Sequence, residues 1–325
     1  MLNRLRAGAA EGACGVTITR LDALDRLALN TTLMFGRMEY KLQTIREVYQ
    51  RAGGDWNMTF FVMFLRTLGD VTNREAYMRL AWKVTCSSVL HERSSVAAIE
   101  ALLLGCSGLL KCYPEDRYTR SLAAEFAHLS HKYSIEPMSA DEWSLRRVLP
   151  MNHPALRLAQ TAAFFAAHDM ACSEAVECRT ADDVEKLFGN VAASDCRLSH
   201  FAPGDEPEDM LKRLGRTKMA LLGINLVAPM QFAYGELTGN EEVRERAMEL
   251  LENIAAEDNR YMRRWAAYGA EPQNAFESQA LLELALSYCD RGRCEECPLG
   301  RKLLKKTVEG TDDGPTGESI GLRSL

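Results

Sequence analysis

The chain has 325 residues, and its 39 Lys and Arg against 45 Asp and Glu give a formal net charge of −6. This length allows a substantial buried core, and the 47% hydrophobic and 26% charged fractions are ordinary for a globular protein. The composition argues against a disordered chain, a collagen-like chain and a membrane protein. The net negative charge argues against a protein that coats polyanions with its whole surface.

The first residues and the cysteines bear on the compartment. Arg4, Arg6 and Glu11 leave no apolar stretch of signal-peptide length near the amino terminus. The most apolar run, residues 219–234, is too short to cross a bilayer comfortably and contains Pro229. We therefore expect a cytoplasmic protein. Its ten cysteines are then expected to be reduced core residues or metal ligands rather than disulfides.

Apolar residues recur at three- and four-residue spacing nearly throughout, which is typical of amphipathic helices. From residue 19 the pattern predicts one long helix ending at residues 53–54, with Leu24, Leu27 and Met34 on its apolar face. Asp55 is expected to cap the next helix. The other predicted helices are one capped by Asn73, a central one over residues 95–110, and further ones over residues 117–133, 154–168, 181–188 and 207–214.

Capping signals in the sequence support the prediction of helices. Ser139 with Glu142 has the spacing of a capping box, and Asn274 with Glu277 repeats it ahead of an apolar run. Pro229 should kink or divide the helix around it, because it lacks a backbone N–H. No segment alternates apolar and polar residues between hairpin turns, so we expect no substantial sheet.

The sequence thus predicts an all-α protein, an irregular multi-helix bundle with one helical domain over residues 20–306. Residues 1–19 are predicted to be a flexible amino-terminal segment. Residues 307–325 contain four glycines and too little apolar surface to fold, so we predict a disordered tail. The loop over residues 189–204 is the best internal break, or else only a long connection.

Three cysteines provide the strongest chemical signal. Cys289, Cys294 and Cys297 have the spacing C-x4-C-x2-C, which can supply three ligands to a zinc ion or an iron–sulfur cluster. No Cys or His follows Cys297, so a fourth protein ligand would come from upstream. The upstream candidates are Cys196, His200, His131 and His128. The alternatives are three reduced thiols in a helix–turn–helix corner, and a redox pair of Cys294 and Cys297.

A second group lies on the predicted helix over residues 117–133. Glu125 and His128 are one turn apart, and His131 follows one turn later. A di-iron bundle needs a second Glu-x-x-His element, which the sequence lacks. We interpret this group as an amphipathic helix surface, and as the one local group to test for catalysis.

Basic residues follow the cysteines at Arg301, Lys302, Lys305 and Lys306. Positive charge beside thiolates lowers their pKa and favours contact with phosphate or metal. A nucleic-acid interface is therefore one hypothesis for this cluster. A solvated helix face is the other, and the net negative charge favours it.

Several motifs occur in an order that resembles one family. They are Gly54-Asp55-Trp56, residues 131–138, 143–150, 157–160, 225–235, 257–259, 278–281 and 288–300. Together these motifs resemble the uncharacterised bacterial family known as domain of unknown function 2851, over residues 21–305. The resemblance also matches Cys289, Cys294 and Cys297 to the family's carboxyl-terminal cysteines.

The resemblance implies that longer family members carry an additional amino-terminal region with Gly-Pro-Asp-Phe and Val-Glu-Ile-His motifs, similar to metal-dependent nucleases. Neither motif occurs here. This chain would then be the carboxyl-terminal helical part, as a truncated gene product or with a separately encoded nuclease-like protein as its partner.

We therefore expect a non-catalytic binding or scaffolding module. The alternative is a nucleic-acid-associated module of a nuclease-like system that lacks its catalytic half. A third hypothesis is an enzyme whose site includes Glu125, His128 and His131.

Overall fold

The structure is a computed structural model that describes residues 9–69, 71–111, 116–146, 148–189, 192–193, 195–201 and 213–309. These residues are helical nearly throughout, and none of them belongs to a strand. An isolated antiparallel bridge joins Ala192 and Arg213. The predicted all-α fold is confirmed.

The α-helices within the described residues follow the chain in close succession. They are α1 (Ala9–Thr19), α2 (Ala23–Arg51), α3 (Trp56–Leu68), α4 (Arg74–Val84), α5 (Cys86–His91), α6 (Val96–Cys106), α7 (Arg117–Tyr133), α8 (Pro154–Ala167), α9 (Ala171–Glu177), α10 (Ala181–Gly189), α11 (Arg216–Leu222), α12 (Ala228–Thr238), α13 (Glu241–Asn253), α14 (Arg260–Ala266), α15 (Ala275–Glu283) and α16 (Pro298–Glu309).

Side-chain caps explain where several helices begin. The Asp55 carboxylate accepts hydrogen bonds from two backbone N–H groups at the start of α3. Asn274 accepts from the N–H of Glu277 at the start of α15. The predicted capping box of Ser139 and Glu142 is present, but it closes only the short 3-10 turn Ala140–Glu142. Asn73 precedes α4 as predicted, but its side chain makes no cap hydrogen bond. Capping signals therefore located these helix starts without fixing the helix length.

The chain stays helical around Pro229, but its hydrogen-bond pattern changes just before that residue. A π-helical turn, Gly223–Val227, connects α11 to α12, and Pro229 lies in the first turn of α12. The missing N–H costs little in a first turn. The wider π turn is therefore how the backbone accommodates the predicted interruption.

The backbone groups into two compact units. Unit 1 comprises Met1–Arg37 with Ala256–Leu325, and unit 2 comprises Met38–Ala255. The long helix α2 contributes residues to both. The break predicted over residues 189–204 falls within unit 2, and the single domain over residues 20–306 stays a prediction.

Unit 1 has its own hydrophobic core. Trp265 is 1% exposed, and its indole N–H donates to the Leu281 carbonyl at 3.1 Å. Around it pack residues from both ends of the chain, including Ile18, Leu33, Leu284 and Leu299. The first and last segments of the chain thus bury a common apolar surface.

Phenylalanines form much of the core of unit 2. Phe64 stacks on Phe164 with ring centroids 4.9 Å apart and the ring planes 8° from parallel. Phe60, Phe61 and Phe165 pack around this pair. Aromatic pairs of this kind stabilise a core by about 1 kcal/mol beyond their burial.

The ends of the chain differ in part from the sequence predictions. Residues 9–19, predicted to be flexible, form α1. A Cβ on Gly15 would lie 2.3 Å from Tyr268 Cβ, so the glycine permits a close approach. Because α1 consists largely of small residues, the spacing of large apolar residues did not predict this helix. Residues 1–8 lie outside the described residues.

Two further predicted segments fall largely where nothing is described. In the predicted helix over residues 207–214, residues 207–212 lie outside the described residues, and the remaining two are not helical. In the predicted disordered tail, residues 307–309 continue α16, and residues 310–325 lie outside. Among the described helices, none combines the length and the hydropathy needed to cross a bilayer.

Candidate functional site

The cysteine corner, Cys289 to Cys297, connects α15 to α16 in unit 1. A π-helical stretch, Leu284–Cys289, extends α15, and the chain then turns at Gly292, whose φ is +64°. Cys297 is buried, whereas Cys289 and Cys294 are half-buried. A Cβ on Gly300 would lie 2.0 Å from the Cys294 carbonyl oxygen, so the corner requires glycine there.

The Cys297 thiol belongs to the hydrophobic core of unit 1. Burial raises the pKa of Cys297. The backbone N–H groups of Gly300 and Leu299 donate hydrogen bonds to its sulfur and lower the pKa in part, and the neighbouring Cys294 thiol raises it. The corner thus holds a protonated, buried thiol beside donors that would also stabilise a thiolate.

The structure does not bring the three cysteines together as a metal-holding group. Within the described residues, no three His, Cys, Asp or Glu side chains are arranged to bind a metal ion. None of the upstream candidates Cys196, His200, His131 and His128 joins the corner in such a group. Metal binding at Cys289, Cys294 and Cys297 therefore stays a prediction.

The basic cluster is partly neutralised by its neighbours. Lys302 forms an ion pair with Asp25 of α2. The Arg301 Nε donates to the Glu295 carbonyl at 3.2 Å. Lys305 and Lys306 belong to α16, but their side chains lie outside the described residues. An acidic partner at Lys302 weakens attraction for phosphate at this point of the surface.

The group proposed as a candidate for catalysis lies on the outer surface of α7. Glu125, His128 and His131 are all exposed on that helix. A reacting pair gains from a desolvated setting, which fixes its geometry and strengthens its electrostatics. These exposed side chains have no such setting, in agreement with their interpretation as an amphipathic surface.

Sequence reasoning missed a buried polar cluster in unit 2. Glu100 is 1% exposed on α6 and accepts a hydrogen bond from the Tyr118 hydroxyl at 3.1 Å. Burial raises the pKa of Tyr118, and the neighbouring Cys196 and Glu100 raise it further. The His200 ring stacks on Tyr118 with centroids 4.5 Å apart. A Glu inside the apolar run 96–106 was the sequence signal for this cluster.

The orientation of His200 shows what this cluster can do. Its Nδ1 accepts from the backbone N–H of Arg197 at 3.0 Å, and its Nε2 lies 3.5 Å from an Asp116 carboxylate oxygen. The two ring nitrogens are therefore engaged by the Arg197 backbone and the Asp116 carboxylate. A cysteine nucleophile needs a histidine nitrogen within reach as its base. The cluster fits a structural network better than a nucleophilic dyad.

Sequence reasoning also missed a cavity in unit 1. Its volume is about 250 Å³, and it lies between α2, α15 and the turn that follows α14. The lining residues are Ile18, Thr19, Arg26, Asn30, Gly269, Ala270, Glu271, Pro272, Gln273, Glu277 and Leu281. Exposed Arg26 and Glu271 stand among them with buried Asn30 and Leu281. The cavity therefore runs from the surface into the core of unit 1.

Three polar side chains in this cavity have unused hydrogen-bonding capacity. Asn30 is 6% exposed, and its amide makes no hydrogen bond to any described residue. The Arg26 guanidinium reaches the Thr19 carbonyl at 3.5 Å and forms no ion pair with a described carboxylate. One Glu277 oxygen accepts from the Gln273 N–H at 2.8 Å, and the other is unengaged within the described residues. These groups can hydrogen-bond a ligand that enters the cavity, so the cavity suits a polar occupant.

The predicted apolar face of α2 was wrong near this cavity. Leu24 and Leu27 are 78% and 56% exposed, whereas Leu29 and Leu33 are buried beside Asn30. Two apolar stripes compete in this stretch, and local periodicity cannot tell which one meets the distant segments. Asn30 is a single polar residue within this buried stripe, and that was the sequence signal that could have identified it.

These observations define an all-helical protein with a polar cavity in unit 1 and, in the part that the structure describes, no group of side chains positioned to hold a metal ion. The chain belongs to the family described as "Protein of unknown function (DUF2851)", whose model matches residues 2–260. The family predicted from the motifs is thereby confirmed, and the cysteine corner lies beyond the matched residues. Neither curated proteins nor solved structures give a match.

Proposed function

We propose that this chain is a non-catalytic binding module. The observation that carries the proposal is the unit 1 cavity, in which Arg26, Asn30 and Glu277 retain unused hydrogen-bonding capacity. A partly open pocket with a few convergent polar groups is the usual form of a small-molecule site. Asn30 lines this open pocket without a described hydrogen-bond partner, so an occupant can hydrogen-bond its amide in place of water.

The reactive side chains elsewhere support a non-catalytic role. Burial raises the pKa of Cys86, Cys106, Cys172 and Cys178 to about 12 in each case, so these thiols are protonated at neutral pH. A thiol without thiolate character is a poor nucleophile.

Thermal unfolding of the full chain with four sets of small probes tests the proposal. The sets are neutral, anionic, cationic and zwitterionic solutes. A probe at one hundred times its Kd stabilises the folded state by about 2.7 kcal/mol. We expect at least one set to raise the Tm of the wild-type chain and to have no effect on Asn30→Leu. No shift with any set would reject the binding role, and turnover of a probe would reject the non-catalytic assignment.

A structural metal at Cys289, Cys294 and Cys297 is a second part of the proposal. The spacing of the three cysteines and the backbone N–H groups that donate to the Cys297 sulfur support this metal site. Metal binding would require the two half-buried cysteines to turn towards Cys297. Elemental analysis of untagged protein tests for bound zinc or iron, because closed cysteine sites hold these metals tightly. Less than about a tenth of an equivalent would reject the site.

We further propose a bacterial, cytoplasmic origin. The nine cysteines that the structure describes are all unbridged, as expected for a chain in a reducing compartment. Free-thiol titration of the protein isolated with a thiol-blocking reagent would show ten blocked thiols. Disulfides in that material would contradict the proposed compartment.

The alternative is a nucleic-acid-associated module that works with a separately encoded nuclease-like protein. Its support is the basic run at Arg301, Lys302, Lys305 and Lys306. Salt-dependent binding to DNA or RNA that is lost when these four residues are neutralised would favour it. Absence of binding at low salt would eliminate it. The ion pair between Lys302 and Asp25 makes this the weaker candidate.

A further inference from the structure

We propose that the unit 1 cavity binds a free aliphatic α-amino acid in its zwitterionic form, a substrate class that rests on the binding function proposed above. Residues of opposite charge line this cavity, with Arg26 as the basic residue and Glu271 and Glu277 as the acidic ones. Arg26 of α2 and Glu277 of α15 both line it, and they form no ion pair with each other. A ligand that carries both charges satisfies both side chains at once.

The arrangement along the two helices gives each group a role. Arg26 and Asn30 are four residues apart, so they lie on the same face of α2, one turn from each other. The guanidinium can hold a ligand carboxylate, and the Asn30 amide can donate to the same group from deeper in the cavity. On α15 the unengaged Glu277 oxygen can accept from an ammonium group. The Asn30 amide thus receives a hydrogen-bond partner that no described residue provides.

The apolar part of the wall and the volume of the cavity narrow the class of ligand. Ile18, Ala270 and Leu281 line the cavity and are all buried. They offer an aliphatic side chain an apolar surface. The volume of about 250 Å³ compares with about 150 Å³ for an engineered cavity that binds benzene, so there is room for on the order of ten non-hydrogen atoms. A branched aliphatic amino acid is of that size.

Three matched probes test the charge requirement by isothermal titration calorimetry on the full chain. L-leucine carries both charges, 4-methylpentanoate lacks the ammonium group, and 3-methylbutylamine lacks the carboxylate. We expect L-leucine to bind at least tenfold more tightly than either analogue. Equal affinity for L-leucine and one analogue would overturn the zwitterion assignment.

Two charge-removing variants test the assigned roles. Arg26→Gln and Glu277→Gln should each weaken L-leucine binding at least tenfold. The amide oxygen introduced by Glu277→Gln can still accept from the Gln273 N–H at the start of α15, so this variant keeps the local hydrogen bond. Arg263→Gln and Glu295→Gln remove exposed charges of unit 1 away from the cavity and should change the affinity less than twofold. Unchanged affinity in either cavity variant would refute the proposal.

The outcomes separate this inference from the binding role itself. Binding of 4-methylpentanoate as tight as that of L-leucine, lost in Asn30→Leu and unaffected in Glu277→Gln, would identify an anion site. The amino-acid assignment would then fail while the binding function stands. Absence of binding by all three probes would also reject the amino acid, and the binding function would fail with it only if the broader probe sets gave no Tm shift.

Discussion

Gln231 and Arg246 both donate hydrogen bonds to backbone carbonyls at the carboxyl end of α9. A double-mutant cycle can measure the coupling free energy between them. Gln231 is fully buried on α12, and its Nε2 lies 3.1, 3.2 and 2.7 Å from the carbonyl oxygens of Ala175, Val176 and Cys178. Arg246 of α13 donates to the Val176 carbonyl at 2.9 Å. The last carbonyls of a helix have no partner within it, so these donors replace the missing bonds.

The cost of Gln231→Met follows from which carbonyls keep a donor. Ala175 still accepts from the Cys178 N–H at 3.3 Å, and Val176 still accepts from Arg246. Only the Cys178 carbonyl loses the donor that the structure gives it, at a cost of about 1–3 kcal/mol. Removing the buried Gln231 Oε1, which has no hydrogen-bond partner, offsets part of this cost. We expect a net loss of about 1–2 kcal/mol.

The double variant should cost more than the sum of its parts. In Arg246→Met alone, Val176 keeps its bond to Gln231 at 3.2 Å. The Arg246 ion pairs with Glu177 and Glu242 contribute little, since those carboxylates are 72% and 71% exposed. When both residues are changed, the Val176 carbonyl loses both donors. We therefore expect a coupling free energy of about 1–3 kcal/mol.

Urea unfolding of the four proteins, followed by far-ultraviolet circular dichroism, measures this coupling. Arg244→Met is the matched control, because Arg244 lies on the same helix and pairs instead with Glu236. Its effect should add to that of Gln231→Met within about 0.5 kcal/mol. If the effects of Gln231→Met and Arg246→Met also add within about 0.5 kcal/mol, the shared capping role is refuted.

Three further predictions concern stability. Asn30→Leu should change the free energy of unfolding of the ligand-free chain by less than about 1 kcal/mol in urea, since the amide that it removes makes no hydrogen bond to a described residue; a larger loss would contradict the unpaired state. Burial lowers the pKa of His153 to about 4, below its usual 6.5, so the folded state binds fewer protons between these values. The contribution of neutral His153 to the free energy of unfolding is complete above pH 6.5 and declines by about 3 kcal/mol at most as the pH falls towards 4. His153→Gln should therefore flatten the pH dependence of stability in this range. Gly300→Ala should lower the Tm, because its Cβ would meet the Cys294 carbonyl oxygen at 2.0 Å, whereas Gly36→Ala on the exposed face of α2 should raise it. The opposite order of these two Tm changes would show that the cysteine corner relaxes freely.

Much of the fold follows from short-range signals. Asp55 and Asn274 cap helices as predicted, because a cap involves only residues two or three positions away. The helix predicted over residues 117–133 has the bounds of α7, Arg117–Tyr133. Membership of the family likewise follows from motifs in the chain itself.

The predictions that failed depended on distant partners. Leu24 and Leu27 were placed on the apolar face of α2, yet the core of unit 1 covers Leu29 and Leu33 instead. Which stripe becomes buried depends on residues 256–309, far along the chain. The cysteine spacing indicated three ligands, whereas the fold buries Cys297 in the core of unit 1 and leaves the other two half-buried.

The sequence by itself determined that the chain is helical, where many of its helices begin and which family it belongs to. The first two depend on hydrogen bonds or side-chain spacings within a few residues, and the family depends on motifs that occur in order along the chain. Only the tertiary structure brought Arg26 and Asn30 of α2 to the same cavity as Glu277 of α15. Because that cavity forms between segments from opposite ends of the chain, its charges and its unpaired amide depend on how the segments pack, which no local pattern specifies.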